Sequence, residues 1–138
     1  MDHLAVADTG FVVALLNQRD RYHSRVSSIY QQQPMILLPQ TALTEVAYMV
    51  GRDANIPTVI QFLNGLAKSR FTVVALIDED IIRVSEILGT YIDSKIDFVD
   101  ATVMAIAERF DCDTVLTIDR RDFQLFRPKH RDYFILLP

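Results

Sequence analysis

Four carboxylates far apart in the sequence could do chemistry together: Asp8 in "AVADTGF", Glu45 in "TALTEVAYMV", Asp100 in "DFVDATVMAIAERF" and Asp119 in "TIDRRDF". Singly, each has an ordinary explanation. Asp8 suits the N-cap of a helix over 10–17, Asp119 suits a turn or cap, and Glu45 suits a solvated helix position facing away from Leu43, Val46, Ala47 and Val50. Asp100 is the hardest to explain in this way. An acid at a helix N-terminus is favoured by the dipole, but the helix it heads is apolar nearly all round (Ala101, Val103, Met104, Ala105, Ile106, Ala107), with only Thr102 interrupting. Such a helix is buried, and an unpaired carboxylate beside a core costs several kcal/mol. Asp97, three positions earlier, reads as the cap of that helix, with a supporting role beside a metal as the alternative.

Gathered on one edge of a sheet, the four acids would raise one another's pKa and strain the fold unless a cation joined them. Oxygen-only donors suit Mg²⁺ or Mn²⁺, held by a few carboxylates with waters left for substrate phosphates. The chemistry implied is metal-assisted phosphodiester cleavage. The cation lowers the pKa of a bound water and neutralises charge on the scissile phosphate, and a carboxylate not occupied by the metal orients or deprotonates that water.

The elements that must position these acids are legible as apolar runs. "LAVA" at 4–7, "MILL" at 35–38, "FTVVAL" at 71–76, "TVLTI" at 114–118 and "YFILL" at 133–137 read as five strands. Between them, Leu43, Val46, Ala47 and Val50, then Val59, Leu63 and Leu66, then Ile81, Val84, Ile87 and Leu88 fall at helical spacing. Pro57 fits a first helical turn and Pro39 lies just past a strand. Asp20, in "RDRYHSRV", reads as the cap of the next helix. Unbroken apolar strands alternating with helices predict a mainly parallel sheet covered on both faces, the three-layer α/β class. In that class ligands bind beyond the carboxyl ends of the strands, where Asp8 and Asp119 fall.

The remaining composition narrows the setting. A chain of 138 residues, half of them hydrophobic, predicts one domain over 1–138. No apolar run approaches the roughly 18 residues that cross a bilayer, and the start lacks the basic segment of a secretory signal, so a cytoplasmic protein is expected. The lone Cys112 is expected to be structural, and His3, His23 and His130 show no zinc spacing. The net charge of −4 argues against a generic nucleic-acid-coating protein, yet 120–132 hold Arg120, Arg121, Arg127, Lys129, His130 and Arg131 against Asp122 and Asp132. That stretch is either a solvated face or a phosphate-contacting rim. Because Arg120 and Arg121 directly follow Asp119, at least one of them is expected to touch substrate phosphate. The apolar segment "IPTVIQFLNGLA" at 56–67 is read as core, with a partner or dimer helix as the alternative.

"ADTGFVVALLNQRDRYH", "TEVAYMV", "DFVDATVMAIAERF" and "TVLTIDRRDF", in this order and at these spacings, resemble the PIN-domain family and especially the VapC-type toxins of bacterial toxin–antitoxin pairs. The resemblance spans essentially the whole chain. It implies a PIN-like α/β/α domain with a central, mainly parallel five-stranded sheet, an Mg²⁺-dependent endoribonuclease acting on RNA, a homodimer, and an antitoxin that blocks the site. Asp8, Glu45, Asp100 and Asp119 match the family's catalytic acids, with Asp8, Asp100 and Asp119 as metal ligands. Thr9 and Thr117 match its hydroxyl positions. Gly10 stands where a serine is common, and Asp97 adds an acid where many members have a small residue. The alternatives are a PIN nuclease of RNA processing without an antitoxin, or a metal-dead RNA-binding PIN domain. A response-regulator receiver would need an acidic pair after the first strand and a late lysine, and a haloacid-dehalogenase hydrolase a second aspartate where Gly10 stands.

Overall fold

In a computed structural model describing residues 3–138, the five apolar runs all become strands of one sheet. They are β1 (Leu4–Ala7), β2 (Met35–Pro39), β3 (Phe71–Val74), β4 (Thr114–Leu116) and β5 (Ile135–Leu137). Their order across the sheet is β3-β2-β1-β4-β5 and every pairing is parallel. Three strands are shorter than their apolar runs. Thr117 still donates its N–H to the Leu137 carbonyl (2.7 Å) past the end of β4 before Ile118 leads into Asp119, and β5 begins only at Ile135, whose N–H donates to the Asp113 carbonyl at 2.8 Å. Phe134, before it, is buried as a core residue rather than a ladder member.

Alternation of side chains divides the apolar residues between two layers, as a pleated strand requires. Ala5, Ala7, Ile36, Leu38 and Leu116 face one layer with Phe11, Val26, Val46 and Val59. Val6, Leu37, Val74 and Val115 face the other with Val84, Ile87, Met104, Ile106 and Phe123. The first layer is made by α1 (Thr9–Leu16), α2 (His23–Gln32), α3 (Gln40–Asp53) and α4 (Ile56–Gly65). The second is made by α5 (Asp78–Thr90), α6 (Phe98–Arg109) and the short α7 (Arg121–Leu125). Residues 101–107 of α6 are all buried, as its apolar circumference predicts. Its single polar interruption is satisfied: Thr102 Oγ1 donates to the Val99 carbonyl (2.6 Å) and accepts from Thr41 Oγ1 of α3 (2.6 Å). That bond ties the helix of Glu45 to the helix of Asp100.

Helical spacing misplaces a few residues. Ile81 is 55% exposed and Leu63 43% exposed, while Asp80 takes the buried position on α5. The reason is that Asp80 closes the N-terminal turn by accepting from the Ile77 N–H (3.0 Å) and is held by Arg109. Asp20 is not the cap of α2. Tyr22 occupies that position, and the Asp20 carboxylate instead accepts from the Tyr22 N–H at 2.8 Å within the preceding turn. Segment 56–67 is divided, with Val59 buried and Ile56 and Ile60 exposed. Cys112 is buried and unpaired. Among the described residues no helix is long and apolar enough to cross a membrane.

The sheet order creates the site. From β1 the chain builds outward through β2 to β3, then crosses back to place β4 on the other side of β1. At such a reversal the connections leave in opposite directions and open a crevice at the carboxyl ends of the two strands. Ala7 pairs with Leu116, so Asp8 and Thr117 leave adjacent strands side by side.

Candidate metal and nuclease site

Asp8 is the structural centre of the crevice. Its backbone is extended (φ −93°, ψ 176°), it caps α1 by accepting from the Phe11 N–H at 3.1 Å, and its other carboxylate oxygen accepts from the Thr117 hydroxyl. The Asp8 N–H donates to the Leu116 carbonyl at 3.0 Å, locking the residue to the neighbouring strand end. Asp8 is therefore a cap and a site residue at once. Only 5% of it is exposed, and this burial pushes its pKa from 3.8 up to about 6. The hydrogen bonds from Thr117 and Phe11 oppose the rise, while the charges of Asp119 and Glu45 reinforce it.

Three elements bring the other acids to the same place. The extended φ −57°, ψ 136° of Pro39 starts α3 directly from β2, so Glu45 on its second turn reaches back and accepts from Thr9 Oγ1 at 2.6 Å. The start of α6 is fixed by Asp97, whose carboxylate accepts from the N–H groups of Val99 (3.0 Å) and Asp100 (3.3 Å). Asp97 is thus the cap that its position predicts. Asp119 follows β4 on the rim, where its carboxylate is 3.4 Å from the Arg121 N–H and its carbonyl 2.8 Å from the Thr117 hydroxyl.

Asp100 is the most perturbed of these groups. Burial at the head of α6 is the main cause, followed by a hydrogen bond to Asp122 and the charges of Asp8, Asp122 and Asp97, which together push its pKa up to about 9. Asp122 is a site residue the sequence reading missed. It is buried, it accepts from the Asp97 N–H (3.2 Å) and from Arg121 Nη1 (2.6 Å), and it faces Asp100. Next to Arg121 in sequence, Asp122 looks like the partner of an adjacent charge. The only signal that could have marked it is the count of acids in "DRRD", two in four residues after a strand.

The result is a cavity of about 390 Å³ lined by Asp8, Thr9, Gly10, Glu45, Met49, Asp97, Asp100, Asp119, Arg121 and Asp122. It gathers all four expected acids, with Thr9 at the wall and Thr117 beneath Asp8. Arg120 lies outside it, in a neighbouring groove. Gly10 opens on the cavity: a Cβ there would meet only Asp8 Oδ1, at 3.9 Å. The donor set is six carboxylates and one hydroxyl against a single guanidinium, without a thiol or imidazole. Hard oxygen donors held together against their own repulsion fit Mg²⁺ or Mn²⁺. Among the described residues no three such side chains already converge on one point as metal ligands would.

Comparison with known proteins adds an independent line. Ribonuclease VapC26 of Mycobacterium tuberculosis is 25% identical over 134 residues, covering 96% of this chain and 99% of that protein. The crystal structure of M. tuberculosis VapC20, a sarcin–ricin-loop-cleaving toxin, superposes with a TM-score of 0.77 at 18% identity, covering 84% of this chain and 90% of that one. VapBC2 of Rickettsia felis, solved bound to a DNA fragment from its promoter, gives a TM-score of 0.71 at 15% identity, with 96% of each chain covered. The PIN-domain pattern itself matches residues 5–127, from the first strand through every acid of the cavity to the end of α7, and the chain belongs to the PIN-domain family.

Proposed function

We propose that the protein is an Mg²⁺-dependent endoribonuclease of the VapC kind, the toxin of a toxin–antitoxin pair. The observation that carries this reading is the cavity at the β1–β4 reversal, where burial and mutual repulsion hold Asp8 and Asp100 well above the ordinary carboxylate range. Such a site is poised to exchange protons for a divalent cation. Asp8, Asp100 and Asp119 would hold the ion, which when bound supplies an activated water and neutralises charge on the scissile phosphate.

The chain's own residues do the rest. Thr117 and the α1 amide of Phe11 fix the Asp8 carboxylate from both oxygens, so it cannot rotate away from the crevice. The Thr9 hydroxyl, donating to Glu45 Oε1, leaves the second Glu45 oxygen free to orient a water and accept its proton. Without a cation, burial and the neighbouring Asp122 keep Asp100 protonated well above the ordinary carboxylate range. Arg121 carries the one positive charge on the wall and is the residue positioned to meet a substrate phosphate. An acidic crevice excludes duplex phosphates from every side but that one, which favours single-stranded or loop RNA, where one phosphodiester can be presented alone.

Two partner readings accompany this one. A cognate antitoxin is expected to place a basic side chain among Asp8, Glu45, Asp100 and Asp119, since a cation there substitutes for the metal's charge. The Rickettsia felis relative is a VapBC pair, which supports a partner of that kind. A homodimer is the expectation from the family, and Ile56, Ile60 and Leu63, exposed on α4 in the segment read as a possible dimer helix, are apolar residues available to it.

The experiment is cleavage of a defined single-stranded RNA by purified protein with Mg²⁺, with Mn²⁺ and in excess chelator. Cleavage with either ion and none in chelator is the expected result. Cleavage undiminished by chelator would overturn the metal mechanism.

A further inference from the structure

Arg120 and Arg121 are adjacent in sequence, yet their side chains serve different places. Arg121 lines the acidic cavity and is tied to Asp122 (2.6 Å) and the Ser94 carbonyl (2.5 Å). Arg120 instead lines a groove of about 460 Å³ between α7 and the outer strand β5, with Gln124, Arg127 and Tyr133 among the other side chains. The groove starts beside Pro138 at the carboxyl end of the sheet, where Arg120 Nη1 donates to the Pro138 carbonyl at 3.2 Å. Arg120 follows Asp119 in the chain, so the groove and the acid cavity meet through neighbouring residues while sharing no lining side chain.

Its charge sets it apart from the rest of the basic stretch. Arg131 is paired with Asp111 and Asp113, Lys129 with Glu86, and Arg121 with Asp122. Among the described residues Arg127 pairs with no carboxylate and no carboxylate side chain lines the groove, whereas Arg120 is already held by the main-chain oxygen of Pro138. Arg127 Nη1 donates only to the Gln124 and Phe126 carbonyls (2.7 and 3.2 Å), which hold the guanidinium in place without neutralising it. Tyr133 is 67% exposed at the far end. Phe134, which also lines the groove, is buried and stacks on Phe126 (5.8 Å between centroids, 27° between planes), giving that wall a rigid apolar backing. An uncompensated guanidinium, an amide and an exposed aromatic ring form the donor set that takes a phosphate and an unpaired base.

We propose that this groove binds a nucleotide of a single-stranded RNA beyond the one next to the scissile phosphate, with Arg127 on its phosphate, Tyr133 stacked on its base and the Gln124 amide at the base edge. The inference rests on the endoribonuclease reading and adds to it a binding subsite that distinguishes single strands from duplexes, whose base faces are covered.

The test measures binding separately from cleavage. Anisotropy of a fluorescent single-stranded RNA is followed against salt in chelator, and cleavage of the same RNA is followed in Mg²⁺. Tyr133→Ala should weaken binding by roughly 5- to 100-fold, the range of one base–aromatic stack, while Tyr133→Phe retains it. Arg127→Gln should reduce the slope of log affinity against log salt by about 0.7. Both variants carry their changes at exposed positions, and a thermal melt matching the parent protein establishes that they are folded. If the parent cleaves and binds RNA but both variants bind as it does, the groove is wrong and the nuclease reading stands. If the parent neither binds nor cleaves, both fall.

Discussion

Two clusters of charge flank the sheet and use the same residue types to opposite ends. Between α5 and α6, Arg83 grips Glu108 with two hydrogen bonds (2.6 and 3.1 Å), Arg109 grips Asp80 (3.0 and 3.1 Å), and Glu108 also receives the Lys129 N–H (2.7 Å). The Glu108 hydrogen bond raises the pKa of Arg83 further above its ordinary value. Each of these buried acids has its own arginine, and the cluster closes helix ends onto one another. At the β1–β4 reversal six carboxylates share one arginine, and two of them are pushed up to about 6 and about 9. The cavity beside the paired cluster is the larger, about 500 Å³ against about 390 Å³. Charge left unbalanced, rather than the size of the opening, separates a site from a strut.

The largest effect should come from attacking that imbalance directly. Asp100→Asn removes one charge from the crevice and keeps the side chain's shape. Cleavage should be abolished, as expected for loss of a carboxylate that would hold the catalytic ion. In chelator the variant should melt no lower than the parent, because the cost of holding Asp100 protonated above its unfolded pKa is gone. In Mg²⁺ the parent should gain stability and the variant gain less. An Asp100→Asn protein that cleaves normally would make the cavity another strut.

The pH dependence of stability sharpens the contrast. Asp8 and Asp100 have folded pKa values above their unfolded ones, so between those values the native state holds protons that the unfolded chain has released. The sign follows: without metal, stability from this site is present below about pH 4 and is lost as pH rises, through about 6 for Asp8 and about 9 for Asp100. Melting in chelator should fall across that window, and Asp100→Asn should flatten its upper half. Saturating Mg²⁺ should flatten it as well, because the ion binds the deprotonated acids. A parent protein whose melting in chelator rises steadily from pH 5 to 9 would contradict the burial of these carboxylates.

Breaking the paired cluster should do the reverse. Asp80→Ala strands Arg109, removes the acceptor for the Ile77 N–H and leaves a buried gap. With Arg109 28% exposed, water softens the loss, so about 2–3 kcal/mol is expected, somewhat less than for a fully buried pair. Cleavage per folded molecule should be unchanged. Chemical denaturation gives the first number and an activity assay corrected for folded fraction gives the second.

The same contrast explains what the sequence could disclose. Strands were legible because each is a short apolar run, Asp8 and Asp119 because each follows a strand, and Asp100 because it heads an apolar helix, whereas Glu45, on the polar side of its helix, is marked only by its place in the set of four. Asp122 and Asp80 were not, because their roles depend on which arginine each meets, and that is decided by how α6 packs against α7 and α5. Ile81 sits at helical spacing yet faces outward, since capping by Asp80 rotates the buried stripe of α5 by one residue. Arg120 and Arg121 looked equivalent as a pair. Only the start of α7 at Arg121 sends one into the acid cavity and the other towards β5.

Asp97 tests the boundary between the two kinds of acid, and the smallest effect is expected there. Its carboxylate is exposed and caps α6, yet its charge is one of those raising Asp100. Asp97→Ala should lose the cap, about 0.5–2 kcal/mol. At neutral pH in chelator Asp100 holds its proton, so the loss of the cap is not offset there by relief of repulsion. Asp97→Asn keeps an oxygen for the Val99 and Asp100 amides and should melt at or above the parent without metal. Cleavage per folded molecule should survive both changes, since Asp100 remains anchored by its helix and by Asp122. An Asp97→Asn protein that folds like the parent and cannot cleave would place this acid among the metal ligands.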